Sequence, residues 1–188
     1  MIDFIVIGGG IAGTSVGARL SHLGHVVVLE RESSLAYHAS GRSAAMFEEN
    51  YGAPSTIALN RASRDYHFEA NGGVTSPRGL MLIGTADNTD KFQTDLVAMQ
   101  LQQISVDDAR TMFPILNNSV TNVGYNMSAW DLDTDLLVQN FAREVRHFGG
   151  IVRTSTEVTG ISRTQAGWEV TVGDEVLSAH NLVNAAGA

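Results

Sequence analysis

The first thirty residues constrain this chain most. Phe4-Ile5-Val6-Ile7 is a continuous apolar run that breaks at Gly8-Gly9-Gly10, the pattern of a strand buried on both faces of a parallel sheet. Ala12, Val16, Leu20 and Leu23 then recur at helical spacing, and Gly24 stops that helix. Val26-Val27-Val28-Leu29 comes next as a second buried strand, closed by Glu30. Strand, helix and strand in this order form a right-handed βαβ unit, and the expectation is an α/β fold.

At the strand-to-helix turn, Gly8-Gly9-Gly10-Ile11-Ala12-Gly13 fits G-x-G-x-x-G, and Glu30 lies twenty residues beyond Gly10. That spacing is a dinucleotide fingerprint. Gly8 allows the tight turn, Gly10 admits a pyrophosphate close to the main chain, and Gly13 lets helix and sheet approach. Ile11 and Ala12 open the helix, whose free N–H groups and partial positive charge favour phosphate. Glu30 suits ribose hydroxyls and repels a 2′-phosphate, which disfavours NADP. The same glycines without their neighbours would make only a sharp turn; the flanking strands and the acidic residue favour the nucleotide.

From Arg31 to Ala53 the periodicity dissolves into small and polar residues. Pro54-Ser55 opens a helix with Leu59, Ala62 and Tyr66 on one face, ended by Asn71-Gly72-Gly73. Leu80 to Ile83 reads as a strand, and Phe92, Leu96 and Met99 mark another helix. Val123, Tyr125 and Met127 alternate as a half-buried strand. Asp133 or Thr134 caps a helix carrying Leu137, Phe141, Val145 and Phe148, which Gly149-Gly150 ends. Then Glu157 to Arg163, Gly167 to Val172 and Glu175 to Ser178 form a β-meander with a tight turn at Gly173-Asp174. Leu182-Val183 reads as a further buried strand.

Composition removes several function classes. Twelve basic against twenty acidic residues, in 188, give a net charge of −8 and argue against a nucleic-acid surface. With no cysteine, disulfides, thiol catalysis and cysteine-ligated zinc are excluded. No apolar stretch reaches the ~18 residues of a membrane-spanning helix. Met1-Ile2-Asp3-Phe4 lacks a basic n-region, so the expectation is a cytoplasmic chain. Its end at Asn184-Ala185-Ala186-Gly187-Ala188, straight after an apolar run, reads as an interrupted protein.

Which dinucleotide binds is decided less by the fingerprint than by the segment after it. An NAD dehydrogenase would continue with alternating strands and helices. Here the second strand leads into Tyr37-His38-Ala39-Ser40-Gly41-Arg42-Ser43-Ala44-Ala45, small residues with one arginine that suit a flat ring and a pyrophosphate. A flexible surface loop has similar composition.

DFIVIGGGIAGTSVGARL with VVVLERE, YHASGRSAAMF followed by NYG, DLDTDLL before a helix, and LVNAAGA at the end together resemble one family. It is the flavoenzymes of the D-amino-acid oxidase, glycine oxidase and sarcosine oxidase family, and the likeness is greatest to bacterial D-amino-acid dehydrogenases of the D-arginine dehydrogenase type. Residues 80–120 match least. The resemblance implies a Rossmann-type FAD-binding domain with a β-meander (1–75 and 134–188) and part of an α+β substrate domain (76–133). It implies non-covalent FAD held by Gly8, Gly10, Ile11, Ala12, Gly13, Glu30 and Arg31, with Ser40, Gly41, Arg42, Ser43, Ala44 and Ala45 along the isoalloxazine. Val158 would touch the adenine, and Ala186 and Gly187 the phosphates. Family members are longer, and the arginine and tyrosine that clamp a substrate carboxylate lie in the part beyond this chain.

The implied reaction removes a hydride from an amino acid's α-carbon, and the resulting imino acid hydrolyses to a 2-oxo acid and ammonia, with oxygen or a quinone-type acceptor as partner. No catalytic base is assigned. Met46 and Tyr51 are candidate pocket residues, with ordinary core packing as the alternative. Where the D-arginine type would place a carboxylate, Leu80 stands in Arg78-Gly79-Leu80-Met81, which favours a neutral substrate side chain. A non-catalytic FAD-binding subunit or degenerate fragment is the other reading. No metal site is expected from the six histidines or from Asp131, Asp133 and Asp135. His38 is expected to be a polar loop residue rather than a covalent flavin tether.

Overall fold

A computed structural model describes residues 2–187. The chain divides into two compact units, Met1–Ser43 with Asp133–Ala188, and Ala44–Leu132.

In the first unit, β1 (Ile2–Ile7), α1 (Ile11–Leu20) and β2 (Val26–Leu29) form the expected βαβ unit, with β1 and β2 parallel. All four residues of β2 are buried, and their alternation sorts them to two faces. Val26 and Val28 lie against Gly17 of α1. Val27 and Leu29 join Ile5, Val170, Val172 and Ala179 in one apolar cluster. The helix ends at Leu20 rather than running on to Gly24, and Leu23 is exposed.

The central sheet runs in the order β10, β11, β12, β1, β2, β9. Its last member, β9 (Ile151–Arg153), pairs parallel with β2 and has no counterpart in the sequence expectation. β10 (Val158–Thr164) and β11 (Gly167–Val172) are antiparallel, as the meander requires. β12 (Glu175–Asn184) is a correction, because the two segments expected there are one strand. Glu175 to Ala179 pairs antiparallel with β11, and Ala179 to Asn184 pairs parallel with β1. One strand thereby joins the meander to the parallel sheet.

The helix after Asp133 buries Leu137, Val138, Phe141, Ala142 and Val145, an i, i+1, i+4, i+5, i+8 stripe. It is Thr134–His147, and the Asp133 carboxylate accepts the Leu136 N–H at 2.8 Å. Phe148 falls beyond its end and is exposed.

The second unit begins with β3 (Met46–Phe47), then α2 (Pro54–Glu69) and β4 (Thr75–Pro77). It continues with β5 (Leu80–Thr85), α3 (Thr89–Ala98) and β6 (Gln102–Ile104). A short helix that no sequence pattern marks, α4 (Val106–Met112), comes before β7 (Val120–Asn126) and β8 (Trp130–Leu132). With α4 in place, the helix after Asp133 is α5. Two three-stranded sheets result, β3-β8-β4 and β5-β7-β6, with all pairings antiparallel. In β7 Val123 is fully buried, whereas Met127 lies past the strand end and is exposed. Leu59 of α2, expected on a packed face, is also exposed. Residues 44–75, expected in the FAD-binding part, cluster with this second unit. Among the described residues, no helix is long and apolar enough to cross a membrane.

Candidate FAD-binding site

The turn after β1 shows why two of its glycines are needed. Gly8 has φ +110°, and a Cβ there would lie 2.2 Å from the Ala185 carbonyl oxygen. A Cβ on Gly13 would lie 1.8 Å from the Gly8 carbonyl oxygen. Both are fixed by the close approach of main chains. Gly10 is different. Its φ and ψ, −80° and −174°, suit any L-residue. The nearest atom to a Cβ added at this position is the Ser40 hydroxyl oxygen, at 3.1 Å. Neither its backbone angles nor any main-chain clash demands glycine at position 10, and that position faces a hollow.

The hollow measures about 480 Å³ and is walled by Gly8, Gly10, Ile11 and Ala12 on one side and by Glu30 and Arg31 on another. Residues 36–40 and the tail Ala185-Ala186-Gly187 complete it. A second hollow, about 400 Å³, shares Gly8, Glu30, Arg31, His38, Ala186 and Gly187 with the first. It extends to Thr156, Glu157 and Val158. Together they form a trough along the carboxyl ends of β1, β2 and β12, where ligands of open α/β sheets bind.

α1 meets this trough with its amino terminus. Its first internal bond runs from the Thr14 N–H to the Gly10 carbonyl, 3.0 Å, so the N–H groups of Ile11, Ala12 and Gly13 have no partner within the helix. The Ser40 hydroxyl accepts the Ile11 N–H at 3.0 Å, and no side chain caps from the N-cap Gly10. An anion here gains the helix dipole and main-chain donors.

Glu30 is held in place by two main-chain bonds. Its Oε2 accepts the Gly9 N–H at 2.6 Å, and its Oε1 accepts the Glu32 N–H at 2.9 Å. Each oxygen keeps a further lone pair for a hydroxyl donor. The carboxylate thus braces the turn and faces the trough at once. Beside it, Glu32 Oε1 accepts from His38 Nε2 at 2.9 Å and Arg31 Nε at 3.1 Å. The His38 hydrogen bond, followed by the contact with Arg31, holds the Glu32 carboxyl below its ordinary value.

The remaining sequence candidates separate. Gly41 is needed for packing, since a Cβ would lie 2.2 Å from the Ala36 carbonyl oxygen. Arg42 turns to the Tyr37 carbonyl, 3.2 Å, and its guanidinium lies 5.4 Å from the Tyr37 ring centre. Gly13, Gly41, Arg42 and Ser43 do not line the trough, and Ala44 and Ala45 belong to the second unit. Gly9, Thr156 and Ala185 are trough or turn residues to which the sequence patterns assign no role, whereas Tyr37 and Ala39 enter the sequence reading only as part of the loop from Tyr37 to Ala45.

In the second unit, Met46 and Leu80 line one hollow of about 520 Å³ with Met81, Met112, Phe113 and Tyr125. Tyr51 lies elsewhere, in a hollow of about 250 Å³ that also includes Met46. The three aspartates have separate tasks. Asp131 pairs with Arg78 at 2.7 Å, Asp133 caps α5, and Asp135 accepts from Gln139 at 3.3 Å.

Comparison with known proteins agrees with this site. The family model "DAO: FAD dependent oxidoreductase" matches residues 3–188. The chain belongs to the DAO family. Its members are FAD-dependent, and the trough fits FAD: a glycine in extended backbone facing the hollow, a helix amino terminus and a carboxylate with free lone pairs lie side by side. Among solved structures, glycine oxidase from Bacillus cereus ATCC 14579 superposes with TM-score 0.81 at 22% identity, covering 100% of this chain and 55% of that one. L-proline dehydrogenase from P. horikoshii gives 0.81 at 19% identity, over 100% and 53%. L-α-glycerophosphate oxidase from Mycoplasma pneumoniae, with FAD bound, gives 0.76 at 18%, over 97% and 52%. A curated relative, the tRNA 5-methylaminomethyl-2-thiouridine biosynthesis bifunctional protein MnmC of Burkholderia pseudomallei (strain 668), is 31% identical over 127 residues. That alignment covers 58% of this chain and 19% of that protein. The chain spans about half the length of these solved structures and a fifth of the curated relative.

Proposed function

We propose that the protein oxidises an amino acid with a neutral side chain, of D configuration, to its imino acid, which water hydrolyses to a 2-oxo acid and ammonia. The observation that carries the side-chain assignment is the hollow around Leu80, where Met46, Met81, Met112 and Phe113 make an apolar wall. Arg78 is the cation nearest in sequence, and Asp131 already pairs with it. A guanidinium or ammonium on the substrate would enter this hollow with no carboxylate to meet it, at a cost of several kcal/mol. The structures this chain resembles include two glycine oxidases and an L-proline dehydrogenase, which supports an amino acid rather than another alcohol or amine.

FAD, when bound, supplies the two-electron chemistry. The residues of this chain bind and orient it. The Gly8–Gly13 turn and the start of α1 receive the pyrophosphate, Glu30 the ribose hydroxyls, and the Val158 end of the trough the adenine. Substrate orientation falls to the Leu80 hollow, which withdraws an apolar side chain from water.

Anaerobic mixing of the flavin-loaded protein with a panel of D- and L-amino acids tests this reading. Bleaching by neutral D-amino acids is expected. Preference for arginine or lysine overturns the side-chain assignment, and a yellow protein that no amino acid bleaches favours a non-catalytic FAD-binding subunit.

A further inference from the structure

The smaller hollow of the second unit contains a buried carboxylate that the proposed reaction does not use. Glu48 is only 4% exposed. Its Oε1 accepts the Asn50 N–H at 3.0 Å, while its Oε2 is buried with no hydrogen-bond partner. The neighbouring cations are engaged elsewhere: Arg64 with Glu49 at 2.8 Å, and Arg61 with the Asn50 side chain at 2.9 Å. A carboxylate so placed ordinarily has a cation or a strong donor.

His67 lines the same hollow from α2, and its Nδ1 is likewise buried without a partner. Burial holds its pKa below the ordinary value and so favours the neutral ring, whose Nδ1 accepts when Nε2 carries the proton. One helical turn earlier, the Ser63 hydroxyl donates to the Leu59 carbonyl at 2.8 Å, which leaves its lone pairs free. The Asn60 amide donates to the Glu48 and Tyr51 carbonyls and so offers the hollow no donor. The hollow therefore combines a buried carboxylate with imidazole and hydroxyl acceptors, and Phe47 and Leu59 supply apolar wall.

We propose that this hollow binds a primary ammonium group, with Glu48 Oε2 as counter-ion and His67 Nδ1 and Ser63 Oγ as further acceptors. Three N–H donors and one positive charge match that set. A divalent metal does not, because among the described residues no group of three His, Cys, Asp or Glu side chains could hold one. A volume of about 250 Å³ admits a stem of a few carbons. Glu48, Ser63 and His67 all line the hollow, and Tyr51 and Leu59, 61% and 68% exposed, stand at its solvent side. The hollow adjoins the proposed substrate pocket, with Met46 lining both, but Glu48, Ser63 and His67 line this hollow alone.

Calorimetric titration of the FAD-loaded protein with n-propylammonium chloride, at neutral pH and constant ionic strength, tests it. Tetramethylammonium chloride, which carries the charge but no N–H, is the control. Saturable one-to-one binding of propylammonium is expected, with none of tetramethylammonium. Glu48→Gln keeps the size and the acceptor for Asn50, and should weaken binding at least about tenfold. Equal affinity for the two cations, no saturable binding by the unaltered protein, or an unchanged affinity in a folded Glu48→Gln protein each overturns the proposal. The cation comparison uses the unaltered protein, so it decides the matter even if Glu48→Gln does not fold.

Discussion

Gly10→Ala separates what the nucleotide requires from what the fold requires. At position 10 the main chain is extended and the nearest atom to a new methyl is the Ser40 hydroxyl oxygen at 3.1 Å, a side-chain atom that need shift only by a few tenths of an ångström from where it accepts the Ile11 N–H. Replacing glycine by alanine at a compatible site reduces unfolded-state entropy by about 0.4–1 kcal/mol. The folding stability of Gly10→Ala should therefore stay within about 1 kcal/mol of the parent. The methyl would, however, enter the trough where the proposed binding mode brings the pyrophosphate onto the main chain. Overpacking of this kind costs about 1–3 kcal/mol, or roughly 5- to 150-fold in FAD affinity. Gly8→Ala is the contrast. A positive φ costs about 1–2 kcal/mol, and the Cβ would also strike the Ala185 carbonyl at 2.2 Å. Stability itself should then fall by about 3 kcal/mol or more. Urea denaturation of the apo-proteins and FAD titration of each variant measure the two effects. A folded Gly10→Ala protein with parental FAD affinity would show that no ligand group approaches this main chain. A stability loss equal to that of Gly8→Ala would show that the fold, not the nucleotide, needs the glycine.

Other consequences come from the same geometry. Glu30→Ala removes the acceptor of the Gly9 and Glu32 N–H groups as well as the proposed ribose contact. Both stability and FAD affinity should drop, each by about 1–3 kcal/mol, as read by the same titrations. Leu80→Glu places a carboxylate in the apolar hollow, and anaerobic flavin reduction should then shift toward arginine and lysine; an unchanged preference would remove Leu80 from the substrate pocket. Because burial depresses the His67 pKa, the unfolded chain takes up the proton at higher pH than the folded one. Stability is then full above the ordinary value of 6.5 and is lost as pH falls through it toward the folded pKa. Urea midpoints across that interval should show this slope, and His67→Phe should flatten it. Asp133→Ala deletes the α5 cap and should cost about 1 kcal/mol, measured by thermal unfolding.

The parts of the fold legible in the sequence were those with an uninterrupted local signal. β1 and β2 are short apolar runs bounded by glycine or charge, and α5 has a clean stripe after an aspartate cap. β9 has three residues directly after Gly149-Gly150, and its pairing with β2 is settled only in space. β12 resembles two strands because Ser178, His180 and Asn181 are exposed where it leaves the meander for β1. α4, Val-Asp-Asp-Ala-Arg-Thr-Met, has no apolar period, and it is nucleated by the Ser105 hydroxyl accepting the Asp108 N–H at 3.0 Å. The boundary after Ser43 has no change of composition to mark it.

In the site, the glycine spacing and Glu30 could be read because both lie within one βαβ unit. Contacts between Ser40 and Ile11, or between Gly8 and Ala185, could not, since they join segments far apart in the chain. Gly9 is hidden for a related reason: its importance lies in a main-chain N–H aimed at Glu30, which no side-chain pattern records.

If the turn, Glu30 and the Val158 end of the trough hold the adenylate half of FAD, then removing that half should abolish most of the affinity. Titration of the apo-protein with FAD and with FMN, which shares the isoalloxazine and lacks the adenylate, measures this. Saturable FAD binding that ADP competes away is expected, with FMN bound at least about a hundredfold more weakly, or about 3 kcal/mol. Equal affinity for FMN and FAD, or FAD binding indifferent to ADP, would mean that the trough does not hold the adenylate.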